Sequence, residues 1–138
     1  MFKELALQIA QKAHAGQVDK AGKDYILHPM TVASYMDTDT EKAIAYLHDV
    51  LEDTDVTVDA LRKIFPNEIV DTLITLTHRK DESYFEYIQR VSTSKLAKKI
   101  KVADLLHNLD ITRIKEPTKQ DYERLEKYKK AILYLTTH

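Results

Sequence analysis

The stretch Ala45-Tyr-Leu-His-Asp-Val-Leu-Glu-Asp-Thr54 sets one imidazole and three carboxylates, His48, Asp49, Glu52 and Asp53, within six positions of an otherwise apolar run. Read as helix, His48/Glu52 and Asp49/Asp53 are pairs four residues apart on adjoining strips of one face. Tyr46, Leu47, Val50 and Leu51 then turn toward a core. An ionised carboxylate buried without a partner is strongly unfavourable, so such groups persist where a cation or a hydrogen-bond network satisfies them. A divalent metal ion fits that role best.

Two further segments supply what this one lacks. His14-Ala-Gly-Gln-Val-Asp-Lys-Ala-Gly-Lys-Asp-Tyr-Ile-Leu-His28-Pro29 is rich in turn residues and ends on a histidine before a proline. Proline disfavours helical backbone in the residue before it, which predicts an extended His28 at the mouth of the next helix. In Lys101-Val-Ala-Asp104-Leu-Leu-His107-Asn108-Leu-Asp110, Asp104 and Asn108 stand one helical turn apart among aliphatic residues. The three segments together offer His28, His48, Asp49 and Asp104. Two imidazoles and two carboxylates suit a catalytic metal site with positions left open for water and substrate, and the mixed N/O set favours manganese, iron or zinc over calcium.

The periodicity predicts helix nearly throughout. A first helix is set by Leu5, Ile9, Lys12 and Ala13, and a loop follows over 16–24. Pro29 suits the first position of a helix reaching Met36. The capping run Asp37-Thr-Asp-Thr40 starts the helix carrying His48 to Asp53. Further helices are predicted over 58–65, with Thr57 as cap, and over 68–76, 84–91, 94–114 and 120–135. The β-branched residues of 72–77 would also suit a strand, but a lone strand has nothing to pair with. The expected fold is all-α: a single helical bundle of about seven helices over residues 1–138.

Composition bounds the function. The chain has 138 residues, 43% of them hydrophobic, enough to enclose a cavity within its own core. With 21 basic and 22 acidic residues it carries no excess of positive charge for general nucleic-acid binding. A small anionic substrate needs only a local basic cluster, for which Lys20, Lys23, Arg79, Lys80, Lys98, Lys99 and Lys101 are candidates. The absence of cysteine removes disulfides, thiolate ligands and thiol nucleophiles together. No apolar run approaches the roughly 20 residues needed to span a bilayer, so no membrane association is expected and the cytoplasm is the default location.

The ordered blocks H-x-G-Q…G-x-x-Y-I-x-H-P, L-H-D-V-x-E-D-T and K-V-A-D-x-x-H-N, running from His14 to Asn108, resemble the HD-domain phosphohydrolases. The resemblance is specifically to the branch containing the hydrolase domains of RelA/SpoT-type alarmone enzymes and their small single-domain relatives. The resemblance implies that His28, His48, Asp49 and Asp104 ligate a divalent metal, manganese above all, while Glu52 and Asp53 act on the attacking water. It also implies a nucleotide substrate held by Lys20 and Asn108, with removal of the 3′-pyrophosphate of guanosine tetra- or pentaphosphate. This chain departs from the family pattern at Asp19, where an arginine usually contacts the base, and at Leu105, Asp110 and Ile111, which stand in place of two basic residues and a threonine. Asp19→Arg is accordingly expected to improve turnover of guanosine tetraphosphate. His14 and His107 are read as structural or supporting, and Tyr84, Tyr87, Tyr122 and Tyr128 chiefly as packing residues. Two rivals to an enzyme are a domain that binds nucleotide or metal as a sensor without turnover, and a structural helical module.

Overall fold

The computed structural model describes residues 1–110 and 114–138. Among them the chain forms α1 (Phe2–Ala13), α2 (Leu27–Ser34), α3 (Asp39–Leu47), α4 (Val50–Asp53), α5 (Val58–Arg62), α6 (Asn67–Thr75), α7 (Tyr84–Val91), α8 (Lys95–Asn108) and α9 (Lys119–Thr137). No strand occurs among these residues. An isolated bridge between Val18 and Asp24 closes the α1–α2 loop, where Gly16 and Gly22 adopt positive φ. The span 72–77, ambiguous in sequence, is helical up to Thr75.

Most helix starts are set by short polar side chains that accept a hydrogen bond from the first-turn amides. Thr38 with Glu41, Ser83 with Glu86 and Thr118 with Asp121 form reciprocal capping boxes. Thr57 and Ser94 cap α5 and α8 through their hydroxyls.

The all-α expectation holds, with three local corrections. The helix expected to carry His48 to Asp53 is two helices, α3 ending at Leu47 and α4 starting at Val50. In an unbroken helix the Ala45 carbonyl would accept the Asp49 N–H. Here it accepts the His48 ring Nδ1 at 2.6 Å and the His48 N–H at 3.5 Å, so the ladder breaks at the site residues themselves. Second, His28 is helical rather than extended: α2 begins at Leu27, so Pro29 occupies the third helical position. A proline is tolerated there because first-turn amides have no partner within the helix. Third, α8 ends at Asn108 instead of continuing to 114. Residues 111–113, and with them the departure at Ile111, lie outside the described residues.

The core is aliphatic, with Ile44, Leu47, Leu61, Ile69, Leu73, Ile88, Ile100 and Leu105 almost wholly buried. Helix α1 carries the fully buried Ala6 and Ala10 and packs chiefly on α3. Helix α3 also touches α2, α6 and α8, α2 touches α8, and α9 lies along α7 and α8. The mutual contact of α2, α3 and α8 is what places the site.

Candidate functional site

His28 on α2, His48 at the end of α3 and Asp104 on α8 converge, each 4% exposed and each offering one ligand atom within 4.8 Å of the others. His28 Nε2 lies 2.7 Å from Asp104 Oδ1, and His48 Nε2 lies 3.5 Å from the same oxygen. Asp49 stands at the edge of this trio. Its Oδ2 is 3.0 Å from His48 Nε2 and 4.0 Å from His28 Nε2, and it accepts a short hydrogen bond from the Tyr25 hydroxyl. Around the trio, His107 stacks on His28 with Nδ1 2.7 Å from Nδ1, Lys101 Nζ donates to Asp104 Oδ2 at 2.9 Å, and Asn108 Nδ2 donates to Asp104 Oδ1 at 3.1 Å.

The donor set fits a cation. Because a carbonyl only accepts, the His48 Nδ1 bonded to Ala45 O must carry the ring proton, and in the neutral ring Nε2 is a lone pair. That lone pair is buried, has no hydrogen-bond partner, and faces two carboxylate oxygens, which are also acceptors. A proton or a metal ion must stand between them. Burial opposes a charged His48, yet Asp49 and then Asp104 outweigh it and hold its pKa well above the usual histidine value. Burial likewise works against ionised Asp104, but Lys101, followed by His28 and His48, keeps its carboxyl well below the usual range. Asp49 is also lowered, with His48 prevailing over burial. This concentration of anionic oxygen around imidazole nitrogen suits a divalent ion.

Glu52 and Asp53 extend from α4 beside this centre. Glu52 Oε1 accepts the backbone N–H of His78, across the molecule. Partial burial raises its pKa; the His78 N–H works against that rise, and Asp49 adds to it. Asp53 is raised by partial burial and then by Asp49. In the His14–Gln17 block, His14 Nδ1 donates to Gln17 Oε1 at 3.0 Å and Gln17 Nε2 donates to the Asp53 carbonyl at 3.0 Å, while the buried His14 Nε2 has no hydrogen-bond partner.

A cavity of about 390 Å³ opens beside His28, walled by residues 18–21 and Tyr25, by Asn108, and by Ile114, Arg124 and Tyr128. Lys20 reaches this wall, but its Nζ is paired with Asp121 Oδ1 at 2.9 Å, and Arg124 Nη1 meets the same oxygen at 3.2 Å. The Asn108 amide is directed to Asp104 while the residue lines the cavity. Asp19 turns its Oδ1 onto the amides of Ala21 at 2.8 Å and Lys23 at 3.0 Å, closing its own loop. An arginine there forfeits both bonds, a cost to the loop that works against the gain expected of Asp19→Arg. Lys101, a basic candidate in the sequence, serves Asp104. Arg124 and Tyr128 were missed as cavity residues. Their spacing of four on one face of α9 was the available signal, but nothing local tells a cavity face from a core face.

The chain belongs to the HD domain family, whose profile matches residues 6–129. It is 34% identical over 132 residues to a guanosine-3′,5′-bis(diphosphate) 3′-pyrophosphohydrolase of Borreliella burgdorferi, an alignment covering 84% of this chain and 20% of that protein. It is 33% identical over 138 residues to a GTP pyrophosphokinase of Streptomyces coelicolor, covering 89% and 16% respectively. The chain thus spans about a fifth or less of the length of these curated relatives. A solved structure of a metazoan ortholog of SpoT, described as hydrolysing ppGpp, superposes with a TM-score of 0.82 at 25% identity, covering 97% of this chain and 84% of that one. No helix among the described residues is long and apolar enough to cross a membrane.

Proposed function

We propose that residues 1–138 form one metal-dependent phosphohydrolase domain acting on a small anionic nucleotide. The leading substrate is guanosine 3′,5′-bis(diphosphate), cleaved to GDP and pyrophosphate. The names of the relatives support the substrate class. The observation that carries the reading is the buried lone pair of His48 Nε2 facing Asp49 and Asp104 beside His28. His28, His48, Asp49 and Asp104 are the proposed ligands, and manganese is the proposed ion. A bound divalent ion supplies Lewis acidity, acidifying water and polarising a phosphoryl oxygen.

The chain's own groups do the rest. Glu52 takes the proton of the attacking water, and its raised pKa brings it closer to the range where a base works well at neutral pH. Asp53, one residue on, shares that task or fixes the water's place. Tyr25 holds Asp49, and His107 holds His28, so the ring and carboxylate orientations are set before substrate arrives. Phosphoryl transfer depends mainly on positioning and charge neutralisation, which Lys20, Asn108 and Arg124 provide along the cavity. A screen of nucleotides with manganese, with products identified by phosphorus NMR, tests the reading. Release of pyrophosphate from guanosine tetraphosphate is the expected result. No cleavage of any nucleotide would leave a sensor as the better account.

A further inference from the structure

The turn between α6 and α7 is held more tightly than a surface connection needs. Arg90 of α7 spreads its guanidinium beneath it: Nη1 donates to the Thr75 carbonyl at 2.9 Å, Nη2 to the Thr77 carbonyl at 2.9 Å and to Glu82 Oε1 at 2.6 Å, and Nε to Glu82 Oε2 at 3.1 Å. Glu82 Oε1 also accepts the Arg79 N–H at 2.9 Å. The Tyr87 hydroxyl donates to the Leu76 carbonyl at 2.6 Å, and the His78 ring stacks on Tyr87 with centroids 4.9 Å apart. The residues on both sides of His78 are therefore fixed. The His78 backbone N–H points out of this frame and onto Glu52 Oε1.

We propose that Arg90 is a positioning residue for hydrolysis: it holds the turn in the arrangement where the His78 N–H orients the Glu52 carboxylate. The inference rests on Glu52 acting on the attacking water. A guanidinium suits the role because its fork binds two carbonyls and a carboxylate at once, which a lysine ammonium does not reproduce. The competing account is that Arg90 only satisfies carbonyls at the end of α6. The two differ in what happens when Glu52 is already disabled.

The test is a double-mutant cycle of Arg90→Lys and Glu52→Gln, assayed on guanosine 3′,5′-bis(diphosphate) with manganese, alongside the His78 amide resonance in the full chain. Arg90→Lys should lower kcat about tenfold with KM within about twofold, since a misplaced catalytic group costs mainly turnover. In the Glu52→Gln background it should add almost nothing. The His78 amide proton, shifted downfield by a carboxylate partner, should move upfield in either single variant. Equal slowing by Arg90→Lys in both backgrounds, or an unmoved His78 resonance, overturns the proposal. If Arg90→Lys does not fold, Glu82→Gln takes its place in the same cycle, with a smaller loss of the same Glu52-dependent kind expected and an additive loss overturning the proposal. Unchanged kcat in Glu52→Gln alone overturns the role of Glu52, and the Arg90 proposal with it. The resonance reads the Arg90–His78–Glu52 link without any substrate, so failure of the link and failure of the substrate reading are told apart.

Discussion

His28, His48 and Asp104 come from three helices packed on one another, are nearly inaccessible, and have each polar atom aimed at another member or at a bracing group. Across the cavity, Lys20 is 52% exposed on a loop and meets Asp121 from 101 residues further along the chain, with Arg124 on the same carboxylate. The centre tolerates little change, because removing Asp104 leaves the buried Lys101 without its carboxylate and His28 without its partner. The wall is adjustable, because each of its cations stays hydrated if its partner moves away. If the proposed function holds, chemistry at the buried centre and recognition along the neighbouring cavity wall have different tolerances, and substitutions should separate them.

The largest effect is expected at Asp104. Asp104→Ala leaves Lys101 buried beside Tyr87 without its carboxylate and strips an anchor from His28. Bound metal and turnover should both be lost, and stability should fall by roughly 3–5 kcal/mol, the scale for breaking a buried pair. Denaturant unfolding and elemental analysis check this. A well-folded variant that keeps its metal would break the contrast between centre and wall.

Glu52→Gln comes next and sharpens the contrast within the centre. The ligands are untouched, so metal content should remain while kcat falls by roughly 10² or more, the scale of general-base loss. Steady-state kinetics on metal-replete protein would show it, and unchanged turnover would pass the role to Asp53.

On the wall, Arg124→Ala should raise KM about tenfold with metal content unchanged and kcat within a few-fold, as one charge-assisted contact to phosphate is lost. A collapse of kcat with unchanged KM would mean that α9 belongs to the reacting centre.

The smallest effect concerns pH. Arg90 first, against burial, depresses Glu82 from the ordinary glutamate value of 4.5 to about 2. A depressed carboxyl stabilises the fold above its unfolded value, and this contribution is lost as pH falls through the folded one. The stability difference between the wild type and Glu82→Gln should therefore be full above about pH 5 and fade toward about pH 2. Thermal midpoints across that range measure it. A difference independent of pH would remove the ion pair as its source.

The legible parts of this molecule are the local ones. The positions of the helices followed from apolar spacing and from the capping residues of 37–40 and Thr57; Thr38 and Thr57 each accept the amide three residues on, as Ser83, Ser94 and Thr118 also prove to do. The grouping of His28, His48 and Asp104 was readable because His48 and Asp104 sit in charged blocks among aliphatic residues that need a common partner, and because the ordered blocks, with His28 before its proline, resemble a known family. The break between α3 and α4 was not readable, since it arises when the His48 ring takes the Ala45 carbonyl, a choice driven by what the ring's other nitrogen faces. Nor was the pairing of Lys20 with Asp121, or the clamp of Arg90 on the turn that meets Glu52. Those contacts depend on how helices pack, and no spacing within one segment encodes them.

Manganese titration of the metal-free protein, with bound ion counted by electron paramagnetic resonance in wild type and in His48→Ala, tests the metal centre most directly. One ion per chain in the wild type and none in the variant is the predicted result. No bound ion in the wild type, or full occupancy in His48→Ala, would contradict the account.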